Sequence, residues 1–164
     1  SSSCPPPPPA SAAPSRATLK AAANAVAFER VGGSNYRIYK EKYPKRLNWG
    51  NGGCSVPEEI SEAYPRLAWV IEHYEGVFQK SCDRHDFGYR NFGSNTSTAG
   101  PHPSFSPTRA TKDRIDTRFH RNMRIQCDQR YDDVWDIPAN QACKAAAKVF
   151  HTAVKYAGDD AFFG

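Results

Sequence analysis

Residues 82–91 read Cys82-Asp83-Arg84-His85-Asp86-Phe87-Gly88-Tyr89-Arg90-Asn91. On a helix, a period of about 3.6 residues stacks Cys82, His85, Asp86 and Tyr89 along one face. That stripe joins a thiol able to anchor the helix, an imidazole that titrates near neutral pH, a carboxylate suited to a hard cation, and a phenol. A second run, Lys112-Asp113-Arg114-Ile115-Asp116-Thr117-Arg118-Phe119, places Ile115, Phe119, Met123 and Cys127 on one apolar helical face. Asp116 lies beside that face. A carboxylate at an apolar seam must find a donor or cost several kcal/mol. His85, Arg84, Arg90 and Tyr89 are the candidate donors. Two readings follow: an ion pair with an arginine, or a carboxylate that fixes the tautomer of His85 and supports its imidazolium form, as in His–Asp hydrolytic dyads.

The chain has no G-x-S-x-G elbow, and no cysteine is placed as a nucleophile. A hydrolase built on His85 and Asp116 would therefore activate water directly. Such chemistry needs an electrophile for the developing oxyanion, and Asp86 beside the base points to a hard cation. Calcium takes roughly six to eight oxygen ligands, including loop carbonyls. The run Asn51-Gly52-Gly53-Cys54 could offer them if a bridge to Cys82 brought that loop against the motif helix.

The surrounding chain must position these groups. Its 164 residues fit one domain, and the mean hydropathy of −0.70 implies a small core in need of staples. No apolar run approaches the roughly 18 residues that a membrane span requires. A net charge of +5 points to an anionic partner such as an acidic lipid surface, nucleic acid or glycan. Nucleic acid is disfavoured, because no groove-reading motif or stacking pattern accompanies the charge. The cysteines are Cys4, Cys54, Cys82, Cys127 and Cys143. That odd number suggests two bridges among the inner four, with three pairings open, and a spare thiol at Cys4 able to link to another chain. Neither a CxxC pair nor a spaced His pair is present to make a zinc site. The sequon Asn95-Thr96-Ser97, with no initial Met and no signal-like apolar stretch, reads as a processed secreted form.

Residues 1–17 form a Pro-rich tail, and order is expected over 18–164, beginning near Thr18. Helices are predicted from Thr18 to the Gly32-Gly33 stop, from Ser34 to before Pro44, and from Pro57 to Pro65. A further piece should reach Lys80, followed by a separate motif helix over 81–92. A long helix over 108–129 and a last one opened by Pro138 and closed by Gly158 complete the set. No alternating strand pattern occurs. The expected class is all-α, a small disulfide-stapled helical bundle with two long core helices.

Three stretches, CDRHDFGYRN, KDRIDTRF and NWGNGGCS, together resemble the secreted phospholipase A2 enzymes of fungi and bacteria. That family carries C-x-R-H-D-F-G-Y-R-N, then K-x-R-I-D-x-x-F, preceded by a D-W-S-x-D-x-C-type calcium loop. The resemblance implies a phospholipase A2-like fold over residues 34–156. It implies calcium-dependent hydrolysis of the sn-2 ester of glycerophospholipids, with His85 as general base and Asp116 as dyad partner; Tyr89, one turn after His85, is expected to hydrogen-bond Asp116 and support the dyad. It also implies Asp86 as the calcium carboxylate, the Gly53 carbonyl as a backbone ligand, and bridges Cys54–Cys82 and Cys127–Cys143. A secreted, monomeric protein acting peripherally on phospholipid membranes or micelles is expected.

The chain departs from the pattern in two places. Gly52 stands where the family carries a second calcium carboxylate, leaving Asn51 one residue earlier to offer a neutral amide oxygen. The segment between Cys54 and Cys82 is longer than the family's. Within it Trp69, Val70, Ile71, Tyr74, Val77 and Phe78 would line an acyl-chain channel or a membrane-facing lip, or else pack in the core. The missing carboxylate keeps a competing function in view, a catalytically weak module of the same scaffold that binds membranes or a partner.

Overall fold

The computed structural model describes residues 2–7, 12–50 and 52–164. The elements in order are α1 (Arg16–Ala27), α2 (Asn35–Lys42), α3 (Glu58–Ala63), α4 (Arg66–Phe92), α5 (Arg109–Arg130), a 3₁₀ turn (Val134–Asp136), α6 (Ile137–Ala157) and α7 (Asp159–Phe163). No strand occurs among the described residues, in agreement with the all-α expectation. The first helix begins two residues ahead of Thr18 because the Ser15 hydroxyl caps it, accepting from the Thr18 N–H at 3.1 Å.

The two pieces expected on either side of Lys80 are one helix. From Arg66 to Phe92 the chain makes 27 unbroken helical residues. Pro65 sits at the start, where a missing N–H leaves no intrahelical bond unmade, and no proline follows until beyond Gly93. At about 1.5 Å per residue the helix is roughly 40 Å long. That length carries the motif stripe from the molecule's interior to a cavity wall.

Helices α4 and α5 run antiparallel. Ser81 of α4 bonds Gln126 late in α5, whereas Tyr89 bonds Asp116 early in it. Helix α6, 21 residues long, returns along α5, so three long helices form the frame rather than two. Two disulfides staple it: Cys54–Cys82 fixes the glycine-rich loop to α4, and Cys127–Cys143 ties α5 to α6. Both pairs are those that the resemblance implied.

The core has two lobes. One is built around Leu67, Phe78, Phe119, Met123 and Phe150, the other around Val26, Phe87, Phe92, Ile115 and Phe162. The α4 stripe crosses the seam between them, with Cys82 in the first lobe and Tyr89 in the second. Of the long segment's apolar residues, Val70 and Phe78 are buried, Ile71, Tyr74 and Val77 pack half-buried on the first lobe, and Trp69 stays exposed. All but Trp69 serve as core, and none lines the cavity described below.

At Gly88 the two helices approach closely. A Cβ there would stand 3.0 Å from Cγ2 of Ile115, which is 1% exposed and has a stiff branched side chain. Gly88→Val is therefore expected to lose about 1–3 kcal/mol of unfolding free energy in urea titrations. Gly88→Ala should lose less, because about 1 kcal/mol of helix propensity offsets the squeeze.

Candidate active site

Helical spacing presents His85 and Tyr89 from α4 toward Asp116 of α5. His85 Nε2 lies 2.8 Å from Asp116 Oδ1, and the Tyr89 hydroxyl donates to the same oxygen at 2.7 Å. The imidazole is held between two rings, with centroids 4.3 Å from both Tyr89 and Phe119. His85 Nδ1 has no hydrogen-bond partner among the described residues, and His85 lines a cavity of about 390 Å³. The cavity's apolar wall comes from Val56, Ile60, Phe119, Phe150 and Val154.

Asp116 is 1% exposed. Burial by itself would raise its pKa. Hydrogen bonds from His85, Lys112 and Tyr89, with the positive field of His85, outweigh that and hold it at about 2, below the ordinary 3.8. Burial first, and the neighbouring Asp116 charge second, push the Tyr89 phenol well above its usual value, so Tyr89 remains a donor.

Lys112 was not among the donors expected from sequence. Its ammonium is fully buried, 2.8 Å from Asp116 Oδ2 and 2.8 Å from the Val154 carbonyl of α6. The signal was present as an i,i+4 Lys–Asp pair within one helix, a spacing that on a surface means little. The two arginines considered as donors go elsewhere. Arg84 forms a buried pair with Glu29 at 2.7 Å, and Arg90 Nε donates to Asp86 Oδ2 at 2.8 Å.

The glycine-rich loop is pinned by Asn91 of α4. The Asn91 amide donates to the Asn48 carbonyl at 2.9 Å, and its oxygen accepts the Asn48 N–H at 2.8 Å. Gly53, with φ +58°, takes a left-handed conformation that suits glycine, and it lines the cavity with Gly52 and Asp86. Asn51 lies outside the described residues.

The donors among the described residues do not fit calcium. Asp86 is the lone carboxylate among the described lining residues, and its Oδ2 already accepts from Arg90 Nε and from the Gly52 N–H at 3.2 Å. The Gly52 carbonyl accepts from both the N–H and the hydroxyl of Ser55. No group of three or more His, Cys, Asp or Glu is placed to hold a metal among the described residues. A dication here would face a guanidinium across one shared carboxylate.

The family model of prokaryotic phospholipase A2 matches residues 24–158, and the chain belongs to that family. A secretory phospholipase A2 of Beauveria bassiana (strain ARSEF 2860) is 28% identical over 121 residues, which are 73% of this chain and 49% of that protein. The chain thus spans about half the length of the curated relative it matches. No solved structure matches it at a significant level.

The buried cluster predicts an asymmetry in stability. Asp116→Asn strands the Lys112 ammonium in the interior and is expected to cost about 3–5 kcal/mol in urea unfolding at pH 7. Adding Lys112→Met should recover part of that loss. In the parent chain the folded pKa of Asp116 lies below the unfolded one, so the contribution is present above about pH 4 and disappears as pH falls from about 4 toward 2. Stability curves of parent and double variant should converge over that interval.

Proposed function

We propose that this chain hydrolyses the sn-2 ester of glycerophospholipids, releasing a fatty acid and a lysophospholipid. The observation that carries the proposal is the 2.8 Å contact between His85 and a buried Asp116 at the wall of an apolar-lined cavity. Family membership supports a phospholipid substrate.

With Nε2 committed to Asp116, Nδ1 is the nitrogen that takes a proton from water. The hydroxide equivalent adds to the ester carbonyl carbon, giving a tetrahedral oxyanion. Collapse breaks the bond to the glycerol oxygen, and the proton held on Nδ1 passes to that oxygen as it leaves. Asp116 keeps the ring oriented and stabilises the imidazolium between the two transfers. Tyr89 and Lys112 hold Asp116 in place by occupying its remaining acceptor positions. The apolar wall receives an acyl chain and thins the water around the ester. Calcium, which the resemblance implied, has no step in this scheme, because a single and already paired carboxylate does not match its needs.

The chain meets its substrate at a lipid surface. No helix among the described residues is long and apolar enough to cross a membrane. Two disulfides and the secretory relative fit an extracellular location. Cys4 is an exposed thiol.

His85→Gln is expected to lower fatty-acid release from mixed micelles by about 10²- to 10⁴-fold, with an unchanged thermal melt. Turnover at the parent rate would overturn the assignment. A parent chain that binds micelles but releases no fatty acid, with or without calcium, would instead favour the membrane-binding module, for which the missing carboxylate at Gly52 speaks.

A further inference from the structure

The Arg90 guanidinium occupies an unusual place. Its Nε is spent on Asp86, but no described residue accepts from Nη1 or Nη2. The side chain is 17% exposed and lines the same cavity as His85. A guanidinium on a cavity wall, with two of its nitrogens accepted by no described residue, is free to meet an anion that enters the cavity.

The loop is shaped around this group. A Cβ on Gly50 would stand 2.5 Å from Nη1 and 2.9 Å from Cζ, so the guanidinium lies over bare backbone that a side chain would block. A Cβ on Gly52 would lie 3.9 Å from Nη2 and 3.8 Å from Asp86 Oδ1, so a carboxylate at 52 would face Asp86 across the guanidinium's edge. The charges are consistent as well. A dication calls for two carboxylates to neutralise it; a guanidinium calls for one, and Asp86 of α4 is one.

We propose that Arg90, lodged beside Asp86, Gly50 and Gly52, is the phosphodiester-binding group of this chain and does its work without a divalent metal. The planar fork of an arginine matches two phosphate oxygens at once, and its charge persists at any working pH. Arg90 lies five residues beyond His85 on α4, roughly 7–8 Å along the axis. A lipid can span that gap, since only a short run of glycerol bonds separates its sn-2 carbonyl from its phosphate. The inference builds on the phospholipase reading of the same cavity, but its central observable is binding rather than turnover.

The test is calorimetry of the full chain in excess EDTA with di-O-hexyl phosphatidylcholine, an ether lipid that cannot be hydrolysed. The parent and His85→Gln chains should bind it alike. Arg90→Gln should weaken binding about 10- to 100-fold, and Arg90→Lys less. Gly50→Ser, which pushes the guanidinium off the loop while leaving it in the chain, should weaken binding without lowering the melting temperature. Inorganic phosphate should compete weakly for the parent and not for Arg90→Gln, while di-O-hexylglycerol, which lacks the phosphate, should bind both equally. Gly52→Asp should gain calcium affinity that the parent lacks. Parent binding that appears only with calcium, or that survives Arg90→Gln unchanged, overturns the role of Arg90 and leaves the His85 chemistry standing. Loss of fatty-acid release from every variant alongside intact, Arg90-dependent binding would instead sink the hydrolytic reading and keep the phosphate site.

Discussion

One ionised carboxylate, removed from water, sets the terms for much of this molecule. Asp116 belongs to α5, but its charge is tolerable only because an imidazole and a phenol arrive from α4 and an ammonium from one turn earlier on its own helix. That ammonium is fully buried in turn and reaches the Val154 carbonyl of α6. A single acid therefore ties the three long helices together in one register. Sliding either contact by a turn would leave a charge buried without its partner, at a cost of several kcal/mol. The same constraint that organises the frame holds the base of the site in one orientation.

The seam between the two core lobes is where such a cluster can exist. Packed aromatic surface lies against it, with the Phe119 and Tyr89 ring centroids each 4.3 Å from that of His85. Water is thinned around the ring without being excluded from Nδ1, which belongs to a cavity wall. The close crossing at Gly88 makes this possible, since a larger side chain would hold α4 away from Ile115 and draw His85 back from Asp116. The long segment after Cys54 supports the arrangement from beneath. Val70 and Phe78 extend the first lobe, so α4 is a stiff rod anchored far from the site it serves.

Opposite the dyad, the loop from Asn48 to Cys54 is held at three points: the reciprocal Asn91–Asn48 bonds, the Cys54–Cys82 bridge, and the Gly52 N–H on Asp86. Over Gly50 of this loop lies the guanidinium of Arg90 from α4. The two halves of the cavity thus have distinct electrostatic jobs. One holds the His85–Asp116 pair, and the other carries the positive charge of Arg90.

Much of this is legible in the residues alone. Helical spacing placed Cys82, His85, Asp86 and Tyr89 on one stripe and Ile115, Phe119, Met123 and Cys127 on one buried face, because the 3.6-residue period is a property of the backbone wherever it coils. The resemblance carried by the motif stretches likewise implied the His85–Asp116 contact and both bridges found in the structure. The partners of the long basic side chains were not legible. Arg84 was a candidate for Asp116 and instead meets Glu29, which is 55 residues away in the chain; Arg90 turned to Asp86; Lys112 went inward. The continuity of α4 and the burial of its apolar residues were also settled only by packing. Backbone period is local and survives any context, whereas a flexible cation reaches several acids, and only the assembled interior decides which of them is left without water.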